Sequence, residues 1–218
     1  MSKNSKIIII IGILILLVII FFVFNRKEEG QESIQELTAP AEDRISELEG
    51  DTEKLFKLAN EYYKKDDFEN AGKVYLELLK IKPNENLYRL NLGDIYTSSG
   101  DLEKAEKIYL EALSLNKKEM NAYVRLSDIY TDLKKKDIPE EVINNLIEIT
   151  VQDGYTSQTE NVIAIQQLAR MYKIMEDYEN SIKYYQMLVD LEVPTKEEIQ
   201  KMIEDLKIKQ EEAKNKNE

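Results

Sequence analysis

The chain contains no histidine, no cysteine and no tryptophan in its 218 residues. Missing thiols exclude disulfides and cysteine nucleophiles, and missing imidazoles exclude His-based triads and His/Cys zinc sites. Carboxylates alone remain for acid–base chemistry. Glycine (7) and proline (4) are also scarce, so little in the sequence interrupts helices. Positive charge is in deficit, with 30 Lys and Arg against 42 Asp and Glu, a formal net charge of −12. A surface that neutralises phosphates needs the opposite balance, which argues against nucleic acid as a partner. No cofactor or metal site is expected.

One long apolar run stands against this polar background. Residues 7–24, IIIIIGILILLVIIFFVF, carry no charge. As a helix they would span roughly 27 Å at about 1.5 Å per residue, close to the hydrocarbon thickness of a bilayer. The run exits through Phe22, Phe24, Asn25, Arg26 and Lys27, with no small-residue cleavage site and no cysteine for lipid attachment. The expectation is an uncleaved, single-pass signal-anchor behind a short tail at 1–6. Lys3 and Lys6 favour a cytoplasmic N-terminus, which places the rest of the chain outside the cytoplasm, in an envelope setting. All 42 acids and all but two of the 30 bases lie beyond the run. Residues 25–50 are polar and punctuated by Gly30, Pro40 and Gly50, which reads as a spacer with short helices either side of Pro40.

The remainder repeats itself. DFENAGKVY at 67–75 returns as DLEKAEKIY at 101–109 and as DYENSIKYY at 177–185. Before each, and once more between the last two, comes a second phrase: LFKLANEY (55–62), RLNLGDIY (89–96), YVRLSDIY (123–130) and IQQLARMY (165–172). Each has Leu, then a small residue, then Tyr three further on: Leu58-Ala59-Tyr62, Leu92-Gly93-Tyr96, Leu126-Ser127-Tyr130 and Leu168-Ala169-Tyr172. Leu and Tyr four apart share a helix face, and the small residue admits a neighbouring helix. Asp67, Asp101 and Asp177 suit N-caps of the second helix, followed by Glu69, Glu103 and Glu179 against the helix dipole. Ala71, Ala105 and Ser181 are the small residues there, with Tyr75, Tyr109 and Tyr185 four residues on. In the third unit the second helix, PEEVINNLIEIT, fits with Val142, Leu146 and Ile149 on the buried face and longer loops around it. After Pro194, Thr195 and Glu198 spell a capping box, and Ile199, Met202, Ile203 and Leu206 form one apolar stripe.

These residues resemble the tetratricopeptide repeat (TPR) family, a 34-residue helix–turn–helix with the pattern W-x2-L-G-x2-Y…A-x3-F…P. The Trp position of that pattern holds Leu55, Arg89, Tyr123 and Ile165. The resemblance implies an all-α, right-handed solenoid of four hairpins at 52–85, 86–119, 120–161 and 162–194. A capping helix at 195–209 and a frayed tail at 210–218 would follow. A single hairpin cannot bury its own apolar face, which is why it needs copies on either side.

The resemblance also implies a concave groove, lined by the first helix of each hairpin, that binds a protein segment. Phe56, Leu90 and Val124 form its apolar row, with Gln166 in the fourth repeat. Asn60, Asp94, Asp128 and Arg170 form the next row, and Tyr63, Thr97, Thr131 and Lys173 the third. The expected partner is a peptide or protein segment with apolar and basic residues, held by a non-enzymatic, membrane-tethered adaptor. An alternative from another class uses Asp94 and Asp128 as an acid–base pair of a carboxylate-only hydrolase acting on envelope polysaccharide.

Overall fold

The structure, a computed structural model, describes residues 40–48, 50–152 and 159–216. The expected anchor at 7–24 and most of the spacer lie outside the described residues. Among the described residues no helix is long and apolar enough to cross a membrane. The chain divides into two units, residues 1–51 and 52–218. The first contributes one described helix, α1 (Ala41–Glu47), which starts at Pro40, where a fixed φ of −52° precedes the first turn.

The second unit consists of nine described helices: α2 (Thr52–Tyr63), α3 (Phe68–Ile81), α4 (Asn86–Ser98), α5 (Leu102–Leu115), α6 (Met120–Asp132), α7 (Glu140–Gln152), α8 (Thr159–Ile174), α9 (Tyr178–Asp190) and α10 (Lys196–Asn215). They pair as hairpins α2–α3, α4–α5 and α8–α9, and successive hairpins stack to form one solenoid. The caps sit where the repeated phrase places them. Asp67, Asp101 and Asp177 each accept a hydrogen bond from the backbone N–H three residues on, at 3.2, 3.4 and 3.1 Å. Each first helix ends in paired backbone bonds, such as Asp66 N to Tyr63 O and Asp67 N to Tyr62 O, which turn the chain sharply into the next helix.

The core is built from the repeated side chains. Leu58, Leu92, Leu126 and Leu168 are all buried, as are the small residue beside each and Tyr75, Tyr109 and Tyr185 of the facing helices. Each such leucine contributes about 1.5–3 kcal/mol by leaving water. Gly93 shows why a small residue is needed: a Cβ there would lie 2.6 Å from the Tyr109 ring. At the fourth crossing Ser181 is fully buried and its hydroxyl donates to the Ala169 carbonyl at 2.8 Å, satisfying both groups.

The third unit departs from the hairpin expected at 120–161. Val142, Leu146 and Ile149 do form the buried face of α7. The backbones of α6 and α7 nevertheless stand apart, and α8 packs against both. Val142 occupies the place held elsewhere by Ala or Ser, so the close crossing is blocked, and α8 fills the space. The start of α8 at Thr159 precedes the boundary placed at 162. Buried Asn161 lies in its first turn and donates to the Thr150 carbonyl at 3.2 Å, joining α8 to the end of α7.

The closing helix differs from expectation at both ends. Thr195 stands at its N-cap without a side-chain hydrogen bond, so the capping box does not close. At the other end the helix runs to Asn215, beyond the boundary at 209 and into residues expected to fray. Strong helix formers and the Lys214–Glu211 pair, at 3.0 Å, carry it on.

Candidate partner-binding site

The first helix of each hairpin, α2, α4, α6 and α8, carries the residues assigned to the groove. Phe56, Leu90 and Val124 are half-buried, and Gln166 is exposed. Phe56 meets Tyr75 edge-on with ring centroids 6.0 Å apart and lies 5.9 Å from Tyr88. It therefore seals the joint between the first two hairpins with one side and faces outward with the other. Leu90 packs against the core cluster in the same way.

The polar row is organised by a rule the sequence did not announce. The Tyr75 hydroxyl donates to Asn60 at 3.2 Å, and the Tyr109 hydroxyl donates to Asp94 at 2.7 Å, each across fifteen residues. The tyrosine of the second helix thus pins the polar residue of the first. Burial pushes the Tyr75 hydroxyl up to about 12 and raises that of Tyr109 further, so both remain protonated donors. The third unit has Leu146 at this point and no hydroxyl to offer. There Asp128 is met by Arg170, whose Nη2 donates at 2.6 Å while its Nη1 reaches Gln167 at 3.3 Å.

Asp94 has a second partner, Arg125 Nε at 2.8 Å. Arg125 was absent from the expected site. Its signal was its place three residues before Asp128 on α6, an arginine among the outward positions of a first helix. Both acids of the row are therefore neutralised by arginines from the following hairpin. They do not form an unpaired acidic stripe for a basic segment. Among the described residues no group of acids is arranged to hold a metal ion.

In the third row, Tyr63 is 40% exposed, with its hydroxyl 3.4 Å from Ser98. The Thr97 and Thr131 hydroxyls turn inward to the Gly93 and Ser127 carbonyls, at 2.9 and 2.7 Å. Lys173 is exposed. A concavity lies beside it. A basin of about 510 Å³ opens between α8 and α10, with Arg170 and Lys173 on one side and Ile199 and Met202 on the other. Its site was not legible beforehand, because it depends on the angle at which α10 leaves α9.

The family model described as the cilia and flagella-associated protein 70 middle TPR-like domain matches residues 55–192. No curated protein matches the chain. Similar solved structures include MamA 41-end from Desulfovibrio magneticus RS-1, with 16% identity, a TM-score of 0.56 and coverage of 75% of this chain and 88% of that one. A MamA RS-1 double mutant has 15% identity and the same TM-score, covering 75% of this chain and 86% of that one. A crystal structure of MamA protein has 18% identity and a TM-score of 0.50, with coverage of 74% and 89%. These structures share the fold. With a repeated core, capped hairpins and a family match over most of the chain, this protein belongs to the TPR-like family described as the cilia and flagella-associated protein 70 middle TPR-like domain.

Proposed function

We propose that the chain is a membrane-tethered scaffold whose first-helix face captures a segment of another protein within an envelope complex. The observation that carries this reading is the row Phe56, Leu90 and Val124. It is half-exposed on successive first helices, beside polar groups that already have internal partners. Apolar side chains with an open side supply affinity when covered, and satisfied polar neighbours need not be stripped of water bonds to allow it. With Asp94 and Asp128 paired to arginines, apolar anchoring rather than attraction to a basic segment is the main source of affinity.

The tether rests on the uncharged run at 7–24 and the two lysines before it. Tethering raises the effective concentration of a partner in the same membrane, so weak contacts suffice. The test is crosslinking in the native membrane at equal expression, comparing wild type with Leu90→Glu. The substitution should reduce the yield of a defined crosslinked partner several-fold while leaving helix content unchanged. Equal yields would remove this face as the site. Protease added to wall-stripped intact cells should digest the repeats, whereas protection until the membrane is opened would reverse the orientation.

A further inference from the structure

The concavity beside α10 continues past its main basin. A second basin of about 360 Å³ adjoins it and shares Gln166, Leu188, Thr195 and Ile199. A third of about 290 Å³ adjoins its other end and shares Lys173 and Met202. The three form a trench along α8, whose 16 residues run roughly 24 Å at about 1.5 Å per residue. The cause is the packing of the closing helix, which lies along α9 rather than along α8. Its floor is apolar, with Tyr185, Leu188, Ile199, Met202 and Leu206.

The walls differ in charge. The α8 side presents Arg170 and Lys173, and the α10 side presents Glu198, Asp205 and Glu212 with Lys209 among them, three acids against one base. Arg170 is committed to Asp128, but Lys173, Glu198 and Asp205 take part in no ion pair among the described residues. Both walls are helices whose backbone groups are satisfied internally, apart from their ends. An extended segment laid here would have no ladder to join, and its own N–H and C=O groups would face an apolar floor unpaired. A helix brings its hydrogen bonds with it.

We propose that this trench receives an amphipathic helix of a partner protein, its apolar stripe on the floor, an acidic flank toward α8 and a basic flank toward α10. This deepens the reading of the first-helix face as a partner-binding surface and rests on it. The opposed walls would also set the direction of the bound helix, because reversing it exchanges the flanks. Helix-in-groove recognition uses anchors at i, i+3, i+4 and i+7, and a trench of this length spans about four turns.

The test uses the full chain in phosphatidylcholine nanodiscs, with empty discs as blank, and three labelled 16-residue Ala-based helices. All carry the same leucine stripe: one has Glu on one flank and Lys on the other, one has only Glu, one only Lys. Fluorescence anisotropy should show the mixed-flank helix binding about tenfold more tightly than either control. Lys173→Glu, on an exposed position away from the core, should weaken the mixed-flank helix about fivefold and strengthen the all-Lys one. Thr131→Trp should block binding by filling the main basin. Equal affinity for the three helices, no binding of any, or indifference to Lys173→Glu would overturn the proposal. Partner yield lost in Leu90→Glu, with mixed-helix binding unchanged by Lys173→Glu, would overturn the trench and leave the broader reading standing.

Discussion

At the residue scale, Arg89 is the clearest departure from the repeat. It stands where the other repeats have buried Leu55, Tyr123 and Ile165, and its Nε and Nη1 are buried without a hydrogen-bond partner. Unpaired buried donors are costly, whereas an apolar side chain of similar size loses nothing there. Arg89→Leu should therefore stabilise the repeats by about 1 kcal/mol, raising the melting temperature by roughly 2–4 °C. A lower melting temperature would mean that the guanidinium has a role in the fold. Gly93 is the converse case. Gly93→Ala gains about 1 kcal/mol of helix propensity but drives a methyl into the Tyr109 ring, an overpacking worth about 1–3 kcal/mol. Denaturant melts should show a net loss; a gain would mean that the ring yields freely.

The element scale is governed by how each first helix ends. Gly100 turns the chain at φ +82°, while Asp66, Lys134 and Glu176 make the same turn at +58°, +50° and +63°. Side chains are strained in this region and glycine is not. Asp66→Gly should stabilise the first hairpin by about 0.5–1 kcal/mol, and Gly100→Asp should destabilise the second by a similar amount. Matched chemical-denaturation curves would check the pair, and a loss in the first or a gain in the second would contradict it. The third unit shows the limit of local rules. The bulky Val142 at the small position of its second helix is plain in the sequence, yet where α8 would settle depended on what the gap between α6 and α7 could accept.

At the scale of the whole molecule, buried tyrosines recur along the core, among them Tyr75, Tyr109, Tyr123 and Tyr130. Burial raises Tyr75 to about 12 and pushes Tyr109, Tyr123 and Tyr130 further in the same direction. An unfolded tyrosine ionises near 10, so these groups favour the fold fully below that pH. The contribution falls as pH rises above 10 and is gone once the folded-state values are passed. Stability should therefore drop steeply between about pH 10 and 12. With no tryptophan in the chain, tyrosinate absorbance follows this directly. Exposed tyrosines such as Tyr63 ionise first, and the later rise from the buried ones should coincide with loss of helical circular dichroism; ionisation of all the tyrosines with helix intact would show that the core admits hydroxide.

The repeat, its caps and its buried face were legible in the sequence because they are local. A leucine, a small residue and a tyrosine on one helix face, with an aspartate before the next, dictate a hairpin whatever surrounds it. The outward rows of the first helices were legible for the same reason, as Phe56, Leu90, Val124 and their polar neighbours follow from helical spacing alone. The partners of those residues were not. Asp94 meets Arg125 and Asp128 meets Arg170 because neighbouring hairpins rotate by an amount that only their packing sets. The splayed third unit and the trench beside α10 have the same origin. Both arise where large side chains from distant parts of the chain compete for one space, and only the assembled core resolves that competition.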